Sequence, residues 1–356
     1  MQKVPALAAI GLRPAARVAN GTAYRLPPTG VVPQLRLDRN EGRTSDVVAT
    51  AINRVDAECL RRYPQVAELE STLARQLNVA PEQVLVTAGG DDALLRICLA
   101  FLEPDREIVL PVPTFEMLSK YARLAGGQIK EVAWLAETFP TQRVIESVSP
   151  ATGIVAVVSP NNPTGAIISA NDFERLAAAT SSSLLLVDLA YTEFADIDLT
   201  PLALQHSNAI VVRTFSKAWG LAGIRCGYAA GPAELIDYLR RAGNPYPVTG
   251  PSIAIALSAL ESGIAAQCQS IDRIRSERAE LQSFLETRGL AVVASQANFV
   301  FARTPRAESI WRALLMLGIA VRWFGEQSEL SDALRITCPG ERHDFERLMN
   351  ALASVL

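Results

Sequence analysis

Lys217 is one of only four lysines in a chain that carries thirty arginines. Arginine stays protonated at any workable pH, whereas lysine can lose its proton and attack a carbonyl carbon. The lysine sits in a small and apolar run, Arg213-Thr-Phe-Ser-Lys-Ala-Trp-Gly-Leu-Ala-Gly-Ile-Arg225. Lys217 is therefore a candidate Schiff-base lysine. Taken alone it is equally compatible with a surface lysine whose stem lies on apolar neighbours.

Four other clusters bear on that choice. Val84-Leu-Val-Thr-Ala-Gly-Gly-Asp-Asp92 reads as strand, glycine turn and helix. Gly89 and Gly90 let backbone N–H groups approach a phosphate, and the amino end of the helix adds favourable partial charge. A plain turn with Asp91 capping the helix would read the same way. In Val157-Val-Ser-Pro-Asn-Asn-Pro-Thr-Gly165 two prolines and a glycine stiffen a turn that presents Asn162 as a fixed hydrogen-bond donor. Leu184-Leu-Leu-Val-Asp188 ends an apolar strand on an acid. A buried carboxylate is costly unless paired. A pyridinium N–H would pair it, and the ring would become an electron sink. Tyr191 follows closely enough to reach an oxygen on the same ring. Ser216 and Arg225 supply charge-assisted contacts suited to a phosphate dianion. Together these clusters ask for one ligand, an aldehyde on a pyridine ring that bears a phosphate.

Elements must hold these residues at one place. Short apolar runs at Val84–Thr87, Glu107–Leu110, Ile129–Val132, Ile154–Ser159, Leu184–Asp188, Ala209–Arg213 and Arg225–Ala229 predict strands, several of them buried on both faces. Helical patterns at Asp91–Phe101, Glu116–Leu124, Ala170–Ala179 and Pro232–Arg241 alternate with them, and Ser169 with Asp172 forms a capping pair. Alternating strand and helix means an α/β domain with a mainly parallel, seven-stranded sheet. Ligands of such sheets bind beyond the carboxyl ends of the strands, where the unusual residues fall. Residues 1–45, rich in Pro, Gly and Arg, read as an extended arm, residues 46–245 as the large domain and residues 246–356 as a smaller α+β domain. The latter has helices at Ser252–Glu261, Ala265–Arg288, Ala307–Leu317 and Arg342–Val355. Its short strands are placed at Ala291–Ala294, Asn298–Ala302, Ala320–Val321 and Leu334–Thr337.

At this point the chain resembles the pyridoxal-phosphate-dependent aminotransferases of fold type I (class I/II), in particular the histidinol-phosphate aminotransferase group. The motifs that carry the resemblance are Arg62-Tyr-Pro64, Pro113-Thr-Phe115, Pro160-Asn-Asn-Pro-Thr-Gly165, Asp188-Leu-Ala-Tyr191, Arg213-Thr-Phe-Ser-Lys217, Gly220-Leu-Ala-Gly-Ile-Arg225, Ala297-Asn-Phe299 and Leu334-Arg-Ile-Thr337. The resemblance implies pyridoxal 5'-phosphate as cofactor, with Lys217 as its Schiff-base partner. It implies that Asp188 binds the ring nitrogen, that Asn162 and Tyr191 bind the phenolic oxygen, and that Phe115 stacks on the ring. It places Gly89, Gly90, Asp91, Thr214, Ser216 and Arg225 around the phosphate, with Tyr63 reaching it from the other subunit of a homodimer. Arg335 would clamp the substrate α-carboxylate, Arg322 the phosphate of histidinol phosphate, and Tyr24 of the arm would touch substrate.

The sequence departs from the family pattern in three places. Leu189 stands where relatives carry Glu, the phosphate turn reads Gly89-Gly-Asp-Asp92, and Gly42-Arg-Thr-Ser45 replaces a proline-rich segment after Asn40-Glu41.

The implied reaction is ping-pong transamination between an amino donor, L-histidinol phosphate or a related aromatic amino acid, and a 2-oxo acid. A threonine-phosphate decarboxylase-like lyase would keep the same lysine and arginines. A non-catalytic, cofactor-sensing domain would call for an attached DNA-binding module. A net charge of −3 without a long basic run points away from nucleic acid. Five widely spaced cysteines and two histidines supply no metal cluster and suit a reducing compartment. No apolar run is long enough to span a bilayer, so a cytoplasmic enzyme is expected.

Overall fold

A computed structural model describes residues 13–19, 21, 23, 32–134, 138–325 and 329–356. Its strands are β1 (Leu35–Leu37), β2 (Val84–Thr87), β3 (Glu107–Val112), β4 (Gln128–Ala133), β5 (Thr152–Val158), β6 (Leu184–Asp188), β7 (Ala209–Thr214), β8 (Gly227–Ala230), β9 (Ala291–Val293), β10 (Phe299–Arg303), β11 (Ile319–Trp323) and β12 (Ala333–Thr337). Seven of them form one sheet in the order β2-β8-β7-β6-β5-β3-β4. Strands β4, β3, β5, β6 and β7 run parallel, and β8 runs antiparallel to both of its neighbours. Strand β2 thus points the same way as β7. The carboxyl ends of β2, β3, β5, β6 and β7 share one edge, and the amino end of β8 meets them there.

Every residue of β5, β6 and β7 is buried, as expected for strands covered on both faces. The pleat divides them between two cores. Ile154, Ala156, Leu184, Leu186 and Ile210 pack with residues of the helices Gly89–Phe101, Glu116–Ala125 and Ala233–Arg241. Val155, Val157, Leu185, Val187 and Val211 pack on the other face with the helices Thr141–Ser147 and Ala170–Ala179. All seven expected strands form, within one or two residues at most ends. Ser169 caps its helix as expected, its hydroxyl accepting from the Asp172 N–H at 3.0 Å. The helices Ala67–Leu77 and Thr141–Ser147 are additional to the elements expected.

A second sheet has the order β1-β11-β12-β10-β9. The helices Ile264–Thr287, Ala307–Met316 and Arg342–Val355 cover it around a core that includes Leu35, Leu37, Phe299, Ile336 and Phe345. The stretch expected to be a wholly extended arm contributes β1, paired parallel with β11 from Leu35 opposite Ile319 to Leu37 opposite Val321. A three-residue run is too short to announce itself by periodicity, and only its distant partner makes it a strand. The two sheets meet at Gly165, which has φ +78 and where a Cβ would lie 2.1 Å from the Ser295 Oγ. Among the described residues no helix is long and apolar enough to cross a membrane.

Candidate active site

A cavity of about 1030 Å³ opens at the shared strand edge and is closed from the other side by the second sheet. Its wall takes Asp188 from the end of β6, Thr214, Ser216 and Lys217 from the end of β7 and just beyond, and Asn162 from the turn after β5. Phe115 follows β3 and Gly90 follows β2. Arg225 reaches the same place because β8 runs backward and starts at this edge. Arg322 and Arg335 enter from β11 and β12. The chain folds these distant segments together because the strand ends are the only places where apolar strands give way to irregular, polar backbone.

The Lys217 ammonium donates to the Arg39 carbonyl at 3.3 Å and lies 5.6 Å from the centre of the Tyr191 ring. Tyr191 lines the cavity, and its hydroxyl accepts from the Asn40 amide at 2.9 Å. Arg335 donates to the Asn162 Oδ1 at 2.6 Å and to the Asp38 carbonyl at 2.7 Å. With its oxygen held, the Asn162 amide leaves its NH₂ group for a ligand acceptor. Arg322 and Arg335 are direct cross-strand partners, so both emerge on one face of the sheet. Like charges directly opposite one another are unfavourable, which suits a place where anions are received.

Gly89, with φ +77, tucks beneath Arg225: a Cβ there would lie 2.8 Å from the Arg225 Nη2. A Cβ at Gly227 would lie 2.7 Å from the Gly89 carbonyl carbon and 2.9 Å from the Gly90 nitrogen. These glycines let three pieces of backbone converge. The Thr214 hydroxyl donates to the Ser216 Oγ at 2.9 Å, and Arg225 pairs with Asp91 at 3.2 Å. The Tyr121 hydroxyl also donates to Asp91, at 3.2 Å.

Asp188 is 5 % exposed and accepts one bond, from the Ala190 N–H at 3.1 Å. Burial pushes its carboxyl up to about 7, opposed by that N–H; the negative Asp91 pushes it further up, and Lys217 opposes. The ordinary value is 3.8, so between about pH 4 and 7 the folded chain keeps a proton that the unfolded chain has lost. Stability of the cofactor-free protein therefore falls as pH rises through that window, by roughly 4 kcal/mol at most. Thermal melts from pH 4 to 8 of the cofactor-free protein and of Asp188→Asn should diverge accordingly, the variant lacking this part of the slope. Parallel curves would contradict the assignment.

The departures from the family pattern lie at different depths. Leu189 is fully buried beneath the sheet with Val187, Leu199 and Ala203, away from the cavity. Asp92 turns inward, accepting from the Ala88 N–H and from Arg96. Gly42 packs on the lysine loop, where a Cβ would fall 2.0 Å from the Lys217 carbonyl oxygen, and Thr44 donates to the Gly220 carbonyl. Tyr63 does not line the cavity of its own chain. It is 73 % exposed and stacked on Tyr246 with ring centres 4.5 Å apart. Tyr24 lies outside the described residues. Asn40 and Tyr121 carry no role in the sequence reading, because their partners, Tyr191 and Asp91, are 151 and 30 residues away.

The model of the family described as aminotransferase class I and II matches residues 33–352. The chain belongs to this family. Histidinol-phosphate aminotransferase 1 of Nostoc sp. is 30 % identical over 93 % of both chains. The histidinol-phosphate aminotransferase of Caldanaerobacter subterraneus subsp. tengcongensis is 34 % identical over 82 % of this chain and 83 % of its own. The crystal structure of histidinol-phosphate aminotransferase from Sinorhizobium meliloti in complex with pyridoxal-5'-phosphate superposes with a TM-score of 0.87. It is 24 % identical and covers 96 % of this chain and 97 % of its own, which speaks for the fold alone. The protein has the fold type I architecture, and as an aminotransferase of class I and II its cofactor is pyridoxal 5'-phosphate. Neither the decarboxylase nor the sensor reading gains support from these relatives.

The residues fit that group. Asp188 is a buried carboxylate on the cavity wall with one N–H partner, and a cationic ring N–H is the complement it lacks. The glycine turn, the paired hydroxyls of Thr214 and Ser216, and Arg225 form a cradle where a Cβ at Gly89 or Gly227 would intrude. Because the Asp91 carboxylate is engaged by Arg225 and Tyr121, Asp91 has only its backbone N–H to offer a phosphate.

Proposed function

We propose that this aminotransferase acts on L-histidinol phosphate and 2-oxoglutarate, giving imidazole-acetol phosphate and L-glutamate in histidine biosynthesis. The observation that carries this reading is the direct pairing of Arg322 with Arg335 across β11 and β12. Two guanidinium groups on one wall suit a half-reaction cycle that brings a phosphate and a carboxylate to the same place in turn, the phosphate of the donor and the carboxylate of the 2-oxo acid. The names of the relatives support the same donor. Aromatic amino acids are the secondary donors.

The bound cofactor supplies an electron sink, a protonated pyridine ring conjugated to its carbonyl carbon. Asp188 holds the proton on the ring nitrogen. Asn162 and Tyr191 donate to the phenolic oxygen, and Phe115 covers a ring face. The backbone of Gly89, Gly90 and Asp91, the hydroxyls of Thr214 and Ser216, and Arg225 neutralise the phosphate. Arg335 receives the carboxylate of the 2-oxo acid or of glutamate, and Arg322 the phosphate of the donor. Lys217 Nζ would bond covalently to the cofactor in the resting enzyme and, when free, would serve as the general base and acid that takes the proton from the substrate carbon. In a homodimer, Tyr63 of each subunit would reach the phosphate held by the other. Five unpaired thiols support a cytoplasmic location.

Arg322→Ala tests the donor. Its kcat/KM for histidinol phosphate should fall about 100-fold, from the ~3 kcal/mol of a desolvated charge pair. That for phenylalanine should change less than about threefold. Equal losses for both donors would remove the phosphate-clamp role.

A further inference from the structure

Asn40 is 1 % exposed, has φ +55 and uses every polar group it owns. Its N–H donates to the Thr337 Oγ1 at 3.2 Å, and its carbonyl accepts from the Asn298 amide at 3.2 Å. The Thr337 hydroxyl, already accepting from that N–H, gives its own proton to the Asn40 Oδ1 at 3.0 Å. With the Thr337 proton given to Oδ1, the side-chain amide turns its oxygen toward Thr337. The NH₂ end is left facing Tyr191 and donates to its hydroxyl oxygen at 2.9 Å.

A phenol has one proton to give. Asn40 offers Tyr191 a donor and no acceptor, so the phenolic proton must point elsewhere, and Tyr191 lines the cavity. We infer that Asn40 is a positioning residue that aims the Tyr191 hydroxyl proton at the ring oxygen of the bound cofactor. The inference rests on the contact proposed above between Tyr191 and that oxygen. Thr337 and Asn298, beside or on the small-sheet strands, hold Asn40, so the sheet that bears Arg335 also sets the direction of a hydrogen bond at the cofactor. Charged groups lining the same cavity include Lys217 from the loop after β7, Asp188 from β6, Arg335 from β12, and Asp38, Arg39 and Glu41 on the segment of Asn40 itself.

A bond donated to the ring oxygen stabilises its negative charge and lowers the affinity of the neighbouring Schiff-base nitrogen for its proton. Losing the bond raises that affinity. The test is the pH midpoint of the visible band of the purified holoenzyme, read without turnover. Asn40→Asp keeps the shape and tolerates a left-handed backbone, but faces Tyr191 with an acceptor that draws the phenolic proton away. Asn40→Asp and Tyr191→Phe should each raise the midpoint by about one pH unit, a tenfold change in the proton equilibrium. The double variant should match Tyr191→Phe alone. Asn40→Gly, which suits the same backbone, removes the donor and should give a smaller shift in the same direction. An unchanged midpoint in the Asn40 variants, or an equal shift from Asn40→Asp with and without the Tyr191 hydroxyl, overturns the inference. If Tyr191→Phe itself leaves the midpoint in place, the ring-oxygen contact fails and takes this role with it. A shift in Tyr191→Phe alone removes only the role of Asn40.

Discussion

Lys217→Ala should bind pyridoxal 5'-phosphate, lose the visible band of the lysine-bound cofactor and lose at least about 10⁴-fold in turnover. Both consequences follow from one nitrogen. In the proposed mechanism the lysine is both the covalent partner of the cofactor and the base that moves the substrate proton, and positioned proton transfer alone contributes up to about 10⁴-fold. Among the described residues no other lysine lines the cavity except Lys120, which is paired with Glu116 at 3.9 Å. The fold should survive, because the Lys217 side chain makes one hydrogen bond, to the Arg39 carbonyl. Absorbance spectra and single-turnover rates of the variant are the measurement, and normal turnover would exclude Lys217 from both roles.

Asp188→Asn should have opposite effects on the empty and the loaded protein. In the cofactor-free chain the buried carboxylate is strained by desolvation, its carboxyl raised to about 7, so the neutral amide should stabilise the fold at pH 8. In the holoenzyme the amide cannot hold a proton on the ring nitrogen. Losing that charge-assisted bond, and the electron sink with it, should cost about 3–5 kcal/mol, or roughly 10²–10⁴-fold in kcat. Melting temperatures of both forms, set beside kcat, give the comparison. A variant that is less stable when empty, or fully active when loaded, would show that Asp188 is a structural acid.

Both substitutions concern residues that stand out in the linear chain. Lys217 is conspicuous among arginines, and Asp188 ends a continuous apolar strand. Local patterns of this kind report what a residue must cost when buried, and that cost needs no partner to be recognised. The seven strands of the large sheet were legible for the same reason. Runs buried on both faces leave unbroken apolar stretches between turn signals. The helix Thr141–Ser147 and strand β1 were not, being short and held by partners far along the chain. The meaning of the altered positions was also out of reach. Leu189 and Gly42 both depart from the family pattern, yet one lies in the core beneath the sheet and the other against the Lys217 carbonyl.

The sequence by itself determined the α/β class and the aminotransferase family, and it nominated Lys217 and Asp188 as lysine and ring-nitrogen acid, with Arg322 and Arg335 nominated through the family resemblance. The first two stand out as residue types whose burial or reactivity is costly unless a ligand answers it. Only the tertiary structure decided how they meet. The reversal of β8 brings Arg225 to the phosphate turn, and the pairing of β11 with β12 sets Arg322 opposite Arg335. The packing of Asn40 between the two sheets gives the Tyr191 hydroxyl a donor from a segment 151 residues away. Strand direction, register and contacts across such distances arise from the collective burial of the two cores, which no local stretch of sequence encodes.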